Sequence, residues 1–248
     1  MKDPKHVASQ EIGFSDELPY QTQHYRLDYS PVHSVVPRAW WRSVSASFDG
    51  FAIECFIDEL AHAAHADPYE FRLRSLRPGP NQSRLRTVLQ LAAEKSNWGK
   101  PMPTGHGRGI ACYVFGGTCL AHVAEVSIDE SGKLRVYRVV SAVDCGLAVN
   151  PDSVRAQIEG GINYALTPVL SGEITVKEGA IEQSNFHNYQ VLRMKDSPAI
   201  QVHIVPAAGD PADGVGEAGV PPLAPAVANA IFAATGKRVR RLPVSKIV

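Results

Sequence analysis

The feature that most constrains the fold is a change of hydrophobic period near the middle of the chain. Residues 120–128 and 134–143 are rich in valine and isoleucine, and the segment Asp-Glu-Ser-Gly at 129–132 joins them. Two such runs around a short glycine-containing loop predict a β-hairpin. The flanking residues show helical spacing instead. The sequence therefore predicts an α+β fold in which helices and antiparallel hairpins are interleaved.

Helical spacing is clearest before the hairpin. Within residues 51–76, apolar side chains recur at intervals that predict one buried helical face, formed by Phe51, Phe56, Leu60 and Ala63. Asp67 and Pro68 predict the start of a second, short helix, because aspartate is a good N-cap and proline is favoured at the first helical position. A third helix is predicted over residues 83–96, ending before Asn97.

A further helix is predicted directly after the hairpin. The segment Asn-Pro-Asp at 150–152 ends the strand, and Asp152 is predicted to cap a helix that runs to about Leu170. Gly160 and Gly161 lie inside this helix, where each glycine costs about 1 kcal/mol of helix propensity. We interpret the pair as a site of close packing against another element or a ligand.

The remainder of the chain contains shorter elements. Strands are predicted near residues 173–182 and 200–206. A last helix is predicted to begin after Pro222 and to end at Gly236, because glycine readily adopts the left-handed conformation that ends a helix. Residues 1–37 are polar, with prolines that discourage helix, and are predicted to form an extended N-terminal segment. The folded region is then 38–248.

Composition excludes several classes of function. The 248 residues are enough to bury a substantial core. With 25 basic and 25 acidic side chains the formal net charge is zero, which gives no electrostatic case for binding nucleic acid or an anionic membrane. No apolar run suggests a membrane span or an export signal, so this chain alone is expected to be cytoplasmic. No zinc-like spacing occurs among the cysteines, which are predicted to be small buried apolar side chains: Cys55, Cys112, Cys119 and Cys145.

One carboxylate stands out in a run of glycines. Residues 214–222 are Gly-Val-Gly-Glu-Ala-Gly-Val-Pro-Pro, and no lysine or arginine lies within ten residues of Glu217. Glycines let the backbone approach a ligand closely, and a carboxylate without a local cationic partner can act as a general base. The alternative is an ordinary acidic residue at a helix entrance, stabilised by the helix dipole. The local sequence leaves both interpretations open.

Two further positions are candidates for ligand contact. Trp40 and Trp41 precede Arg42, whose planar guanidinium group could bind a phosphate or an oxo group. The alternative is a surface cation stacked on tryptophan. Gln157 lies one turn into the helix after the hairpin, near the end where anions and ligand dipoles bind well. By itself it is equally typical of a solvent-facing helix residue.

Other polar positions have simpler explanations. Asp144 ends a strand as a turn-forming residue, and His122 lies mid-strand, where packing is its expected role. His187 belongs to a polar loop cluster. The segment Gly-Arg-Gly at 107–109 is too short to indicate nucleotide binding.

Taken in order, the segments resemble a known family. The first group is Trp-Arg-Ser-Val at 41–44 with Glu-Cys-Phe-Ile-Asp-Glu-Leu-Ala at 54–61, and the second is Val-Asp-Cys-Gly at 143–146 with Asn-Pro at 150–151 and Gln-Ile-Glu-Gly-Gly at 157–161. The third group is Asn-Phe at 185–186 with Leu-Arg-Met at 192–194, and the fourth is Gly-Val-Gly-Glu at 214–217. This ordered set resembles the molybdopterin-binding large subunit of the xanthine dehydrogenase family, in the branch of isoquinoline 1-oxidoreductase beta subunits and related aldehyde dehydrogenases. The resemblance runs from about residue 18 to the C-terminus.

The resemblance implies the C-terminal molybdopterin-binding region of a molybdenum hydroxylase, with specific roles for five residues. Glu217 falls on the catalytic glutamate, which acts as the base when water supplies the oxygen. Trp41 and Arg42 fall in the segment that borders the cofactor pocket, and Gln157 falls on a glutamine that contacts the cofactor. Gly216 would let backbone approach the metal ligands. No side chain of this chain is expected to ligate the metal itself.

The resemblance also implies cofactors and partners. The expected cofactor is molybdenum–molybdopterin in its cytosine dinucleotide form, and electrons are expected to leave through [2Fe-2S] clusters on a small iron–sulfur partner subunit. The substrate would be a small molecule, either an aldehyde or an N-heterocyclic aromatic compound.

This sequence also departs from the family pattern. Ala218 stands where proline is common after the glutamate. Because family subunits are much longer, residues 1–37 are expected to continue from a missing N-terminal part, which is a further partner. A full subunit could carry an export signal, and its location would then be periplasmic.

The alternatives to an enzyme subunit are a truncated, non-catalytic remnant or interaction domain that keeps the fold, or a binding module for small aromatic ligands. The interaction domain predicts an exposed or salt-bridged Glu217, and the binding module predicts an aromatic-lined pocket away from it.

Overall fold

A computed structural model describes residues 18–24, 26, 30 and 39–244. Among these residues three helices come first, α1 (Ala46–Ala63), α2 (Pro68–Ser75) and α3 (Pro80–Ser96). Three long strands follow, β1 (His106–Phe115), β2 (Thr118–Ile128) and β3 (Leu134–Asp144). The remaining elements are α4 (Pro151–Leu170), β4 (Val176–Lys177), β5 (Ala180–Ile181), a 3₁₀ turn (Met194–Asp196), β6 (Ala199–Ile204) and α5 (Leu223–Thr235). The α+β prediction is confirmed. Most of the predicted 1–37 segment lies outside the described residues.

A four-stranded sheet, in the order β1-β2-β3-β6, forms the centre of the fold. Strand β2 pairs antiparallel with β1 on one side and with β3 on the other, and β6 pairs parallel with β3. The predicted hairpin is β2–β3, and its loop is closed by the Gly132 N–H, which donates to the Asp129 carbonyl oxygen at 2.9 Å. The strand predicted near 200–206 is β6, whose parallel position at the sheet edge requires the long crossover through α4.

Helices cover both faces of the sheet. On one face the apolar side of α3 packs against alternate residues of the strands, including Val88, Ile110 and Val123. On the other face α4 and α5 pack against the intervening residues, including Leu120, Ile158 and Val227. Because both faces are covered, the central strand β2 shows continuous burial over most of its length. All four cysteines are buried in these layers, as predicted.

Strand β1 was not predicted from the sequence, and two of its glycines show why the sheet needs it. A Cβ atom at Gly107 would lie 2.1 Å from the Ala230 carbonyl oxygen, and one at Gly109 would lie 2.2 Å from the Ala230 backbone nitrogen. Helix α5 therefore lies directly on the backbone of β1, a closeness that only glycine permits. These glycines serve helix–strand packing.

The predicted buried face of the first helix is wrong. Phe56 is 57% exposed and Leu60 is 39% exposed, whereas Glu54 and Asp58 are buried. The reason is an ion-pair cluster, centred on Arg72 of α2, that faces the core from the opposite side of α1. The hydrophobic periodicity could not show this, because it treats every charged residue as outward-facing.

This buried cluster, which we call the Glu54 cluster, consists of Tyr20, Glu54, Asp58, Arg72 and Arg238. Arg72 Nε lies 2.8 Å from Glu54 Oε2, and Arg238 Nη1 lies 2.6 Å from Asp58 Oδ2. The Tyr20 hydroxyl donates to Glu54 Oε1. Burial alone would lower the pKa of Arg72. The neighbouring carboxylates outweigh this effect, so the pKa of Arg72 lies above its ordinary value. The cluster is thus a set of paired charges, buried except for the partly buried Arg238, that joins segment 18–21 to α1 and α2.

The helix ends follow the sequence, but two helix starts need correction: α3 begins at Pro80, three residues earlier than predicted, and α4 also begins early. Asp67 caps α2 by accepting from the Tyr69 and Glu70 N–H groups, as predicted. Helix α4 begins two residues earlier than predicted and is capped by Asn150, which accepts from the N–H groups of residues 152 and 153; Asp152 is therefore not the cap. Helix α5 ends at Gly236 in the left-handed conformation, as predicted. No helix of the described residues combines the length and apolar character needed to cross a membrane.

Candidate active site

Arg42 connects the segment that carries Glu217 to the helix that carries Gln157. Its Nε donates to the Gly216 carbonyl oxygen at 2.8 Å, and its Nη2 donates to the same oxygen. Nη2 also lies 3.1 Å from Gln157 Oε1 and 3.3 Å from the Gln157 carbonyl oxygen. The fold therefore brings all the predicted site residues together, although Arg42 and Gly216 are 174 positions apart in sequence.

The Glu217 carboxylate is held by a backbone N–H group. Ser43 N donates to Glu217 Oε1 at 3.0 Å, and the side chain is partly buried. Within residues 39–244 and the described N-terminal positions, no salt bridge involves Glu217. Helix α5 begins only at Leu223, beyond the one-turn range over which a helix dipole acts strongly. The geometry therefore gives little support to the interpretation of Glu217 as a helix-entry acid.

Two strained residues present this N–H group. Ser43 and Val44 have φ angles of 68° and 49°. The left-handed region is unfavourable for a β-branched residue, and such strain persists only where the surroundings enforce it, most often at functional sites. The Ser43 side chain is fully buried, and its Oγ has no hydrogen-bond partner among the described residues. Sequence reasoning missed Ser43 as a site residue; its only sequence indication is its place next to Arg42.

Trp41 and Arg42 both contact Tyr164 of α4. The rings of Trp41 and Tyr164 lie 4.8 Å apart between centroids at an interplanar angle of 37°. The Arg42 guanidinium carbon lies 5.7 Å from the Tyr164 centroid. The aromatic contact of Arg42 is thus tyrosine, and its donors bind protein oxygens. The alternative of a cation stacked on tryptophan is therefore not the arrangement seen, and Arg42 connects three segments of the chain.

The residues after the glutamate form a tight turn against α4. The Val220 N–H donates to the Glu217 carbonyl oxygen at 3.0 Å. A Cβ atom at Gly161 would lie 3.2 Å from the Gly219 backbone, and one at Gly219 would lie 3.0 Å from the Ile158 carbonyl oxygen. The close packing expected of the Gly160–Gly161 pair is confirmed at Gly161. We call residues 216–220 the Glu217 turn.

Other glycines at the site have no packing explanation. A Cβ atom at Gly214 or Gly216 would meet no atom of the described residues within 4 Å, and neither glycine has a left-handed φ angle. Gly160 is exposed, and a Cβ there would make only an ordinary contact, 3.9 Å from Arg42 Nη1. These glycines leave open backbone beside Arg42 and Gln157. Such a surface suits a cofactor that approaches the backbone closely.

The loop before the Glu217 turn is fixed by a second arginine, which the sequence reasoning also missed. Arg84 Nη2 lies 2.9 Å from Asp144 Oδ1 and 3.0 Å from Asp213 Oδ2. Burial alone would raise the pKa of Asp144, but hydrogen bonds from Arg84 and the Gly146 N–H outweigh it and lower that pKa. The Thr118 hydroxyl donates to the Gly214 carbonyl oxygen at 2.9 Å. Asp144 therefore has a structural role, as expected.

An apolar groove with a volume of 270 Å³ borders the site. It lies between the start of α1 and the end of α4, and its lining includes Trp41, Phe48, Phe51 and Val220. Phe48 is 65% exposed there. Because Trp41 and Val220 also belong to the site, this aromatic-lined groove does not lie away from Glu217. His187, by contrast, is exposed on a loop, and its carbonyl oxygen accepts from Gln190.

The family model of the molybdopterin cofactor-binding domain matches residues 45–198. The chain belongs to this family. The matched range includes Gln157 and lies between Arg42 and Glu217 in the sequence. Together with the relatives described next, it confirms the resemblance to the xanthine dehydrogenase family.

Curated relatives of this molybdopterin-binding chain are oxidoreductase subunits. It is 36% identical over 245 residues to a nicotinate dehydrogenase subunit of Pseudomonas putida, in a match that covers 92% of this chain and 20% of that protein. It is 34% identical over 229 residues to the beta subunit of isoquinoline 1-oxidoreductase from Brevundimonas diminuta, covering 91% of this chain and 29% of that protein. The chain thus spans between a fifth and a third of the length of these relatives.

A solved structure supports the fold of the molybdopterin-binding chain. Aldehyde oxidoreductase from Desulfovibrio gigas superposes with a TM-score of 0.67 over 82% of this chain and 40% of that one, at 18% sequence identity. At this identity the likeness concerns the fold alone. The arrangement of helices around the mixed sheet is therefore one that also occurs in that solved structure.

Proposed function

We propose that this chain is part of the molybdopterin-binding large subunit of a molybdenum hydroxylase, with Glu217 as its general base. The observation that carries the proposal is the geometry of the Glu217 carboxylate. It is partly buried, free of salt bridges within the described residues, and oriented by the Ser43 N–H group at 3.0 Å. Oxidation of a carbon–hydrogen bond with water as the oxygen source releases two electrons and two protons, so the reaction needs a base at the reacting oxygen.

Glu217 has one oxygen available for that proton. Ser43 N–H occupies Oε1, and Oε2 makes no hydrogen bond within the described part of the chain. The bond to Oε1 orients the carboxylate, because the donor is a backbone N–H group in a conformation that its surroundings enforce.

Arg42, Gln157 and the open glycines would hold the cofactor beside this carboxylate. When bound, molybdenum–molybdopterin would supply the redox centre that accepts the electron pair from the substrate. The Gln157 side chain, which is exposed and oriented by Arg42 Nη2, would donate from its amide to a cofactor oxygen. Gly160, Gly214 and Gly216 leave the backbone accessible, and Trp41 would border the pocket. The cytosine dinucleotide form of the cofactor is the form we expect.

Further polypeptide is needed to complete this site. The chain spans only 20% to 29% of its curated relatives, and the site residues lie on an open side of the described structure. The apolar groove at Phe48 and Trp41 supports a covering partner, because exposed apolar surface of this kind marks interaction sites. We propose the remaining part of the large subunit as that partner, with [2Fe-2S] clusters on a separate small subunit. Alone, the chain would hold the cofactor weakly.

The substrate we propose is an aldehyde or an N-heterocyclic aromatic compound. The relatives include nicotinate dehydrogenase, isoquinoline 1-oxidoreductase and a membrane-bound aldehyde dehydrogenase of Gluconacetobacter polyoxogenes.

The test is Glu217→Gln in the chain assembled with the remaining part of the large subunit and the iron–sulfur subunit. General bases contribute about 10²–10⁴-fold to rate. We therefore expect the hydroxylation rate to fall by about that factor while the molybdenum content of the purified complex is unchanged. Glu130→Gln is the matched control, because Glu130 is an exposed acid in the β2–β3 loop, and it should leave both quantities unchanged.

Two results would contradict this assignment. Full turnover by the Glu217→Gln complex would exclude Glu217 as the base. Absence of molybdenum from the correctly assembled wild-type complex would favour the non-catalytic interaction domain. The interaction domain also predicted an exposed or salt-bridged Glu217, and the carboxylate has neither property in the described structure.

A further inference from the structure

His122 lies at the centre of β2 and reaches the Glu217 turn. Its side chain is fully buried, and Nε2 lies 3.0 Å from the Gly219 carbonyl oxygen. A carbonyl oxygen can only accept, so Nε2 carries the hydrogen. Burial lowers the pKa of His122 to about 4, against the opposing effect of the backbone at Gly219 and Ala121. The imidazole is therefore neutral near pH 7 and holds one defined tautomer.

The other side of the same peptide is blocked by α4. A Cβ atom at Gly219 would lie 3.0 Å from the Ile158 carbonyl oxygen, and the Gly219 backbone lies beside Gly161. Gly219 is thus enclosed between a hydrogen-bond donor on β2 and the backbone of α4. Small backbone shifts in either direction are opposed, because one direction breaks the hydrogen bond and the other produces overlap.

The Glu217 turn is consequently held at two points. Arg42 binds the Gly216 carbonyl oxygen before the glutamate, and His122 binds the Gly219 carbonyl oxygen after it. The distance from Ser43 N to the carboxylate depends on both, since the turn between them is only four residues long from 216 to 219. We propose that His122 is a positioning residue that fixes the Glu217 carboxylate against the Ser43 N–H group. Its catalytic importance rests on the proposed function, but its effect on the turn does not.

The test measures backbone amide hydrogen exchange by NMR in the full 248-residue chain. His122→Leu removes the donor while keeping an apolar side chain in the core. We expect exchange at Ser43 and Val220 to accelerate about tenfold or more, because a buried hydrogen bond is lost at the turn. His122→Gln can place an amide N–H near the same carbonyl oxygen and should restore most of the protection.

Val123→Ala is the matched control, because Val123 is the next residue on β2 and is fully buried on the opposite face of the sheet. It should lower global stability without a selective effect at Ser43. Unchanged Ser43 exchange in His122→Leu, or equal acceleration in Val123→Ala, would overturn the proposal. Failure of His122→Gln to restore protection would overturn it as well.

A second readout separates this proposal from the catalytic one. In the assembled complex, His122→Leu should lower kcat more than it raises KM, and His122→Gln should recover part of kcat. If Glu217→Gln keeps full turnover while the exchange results follow expectation, the general-base assignment fails and the positioning of the turn stands. If His122→Leu leaves the exchange at Ser43 unchanged, the positioning role is wrong, whatever the activity of the assembled complex.

Discussion

Glu54 and Glu217 are carboxylates in opposite environments. Glu54 is 1% exposed and accepts from the Tyr20 hydroxyl, Arg72 Nε and the Cys112 N–H group, so both of its oxygens are occupied. Glu217 is partly buried and accepts one backbone N–H group on one oxygen. The first carboxylate is enclosed by its partners, whereas the second keeps an oxygen that can take a proton.

The difference shows how surroundings divide acids into structural and chemical roles. A buried charge is tolerated only with full pairing, and removing one partner leaves the other unpaired at high cost. A carboxylate that works as a base must instead keep capacity for a new partner. The strained residue Ser43 donates its N–H group to the second carboxylate, and Gly216, which has no packing reason among the described residues, directly precedes it.

The largest expected effect is on folding stability when the two glutamates are changed in the same way. Glu54→Gln leaves the Arg72 guanidinium buried with weakened pairing, and we expect it to lower the free energy of unfolding by about 3–5 kcal/mol. Glu217→Gln should change it by about 0.5 kcal/mol or less, because no ion pair in the described structure depends on it. Urea denaturation of both variants measures this difference in the free energy of unfolding. Equal losses in the two variants would contradict the division into a structural and a chemical carboxylate.

A slightly smaller effect concerns acid stability near the Glu217 turn. The pKa of His122 is lowered by burial to about 4, whereas an unfolded histidine titrates near its ordinary value of about 6.5. The unfolded state therefore binds the proton first as pH falls. The stability that the protein has with neutral His122 is therefore fully present above about pH 6.5 and falls by about 3 kcal/mol as the pH drops towards 4.

Denaturation of wild type and His122→Gln at pH 7 and pH 4 checks this prediction. The difference in unfolding free energy between the two proteins should shrink or reverse at the lower pH, since glutamine does not titrate. A parallel loss of stability in both proteins would assign the acid sensitivity to other groups.

The smallest effect sharpens the account of the Glu54 cluster. Tyr20→Phe removes the hydroxyl that donates to Glu54 but leaves the ring in place, and Arg72 and the Cys112 N–H group still bind the carboxylate. We expect a loss of about 1–2 kcal/mol in unfolding free energy. A thermal melt compared with that of Glu54→Gln measures it. A loss as large as that of Glu54→Gln would mean that segment 18–21 undocks together with the bond.

Much of the fold could be predicted from sequence because its information is local. The β2–β3 hairpin follows from two β-branched runs and one loop, and the ends of α2 and α5 follow from Asp67 and Gly236. Strand β1 was missed because its glycines resemble a loop until α5 is known to lie on them. The buried face of α1 was wrong because pairing of charges across 18 residues of sequence is not visible in a hydrophobic pattern.

The candidate site shows the same division. The residues assigned by resemblance, Arg42, Gln157 and Glu217, are brought together in the structure. Ser43 and His122 were not recognised, since one contributes only a backbone N–H group and the other binds a carbonyl oxygen 97 residues away. Neither contact leaves a mark in residue type.

The sequence by itself determined the class of fold, the order of its helices, the β2–β3 hairpin and the chemical identity of the groups at the site. Tertiary structure decided which charges are buried and which carboxylate keeps a free oxygen. The physical reason is that propensity and capping act over one or two turns of chain. Ion pairing and hydrogen bonding act over a few ångströms of space, and only the folded chain sets those distances.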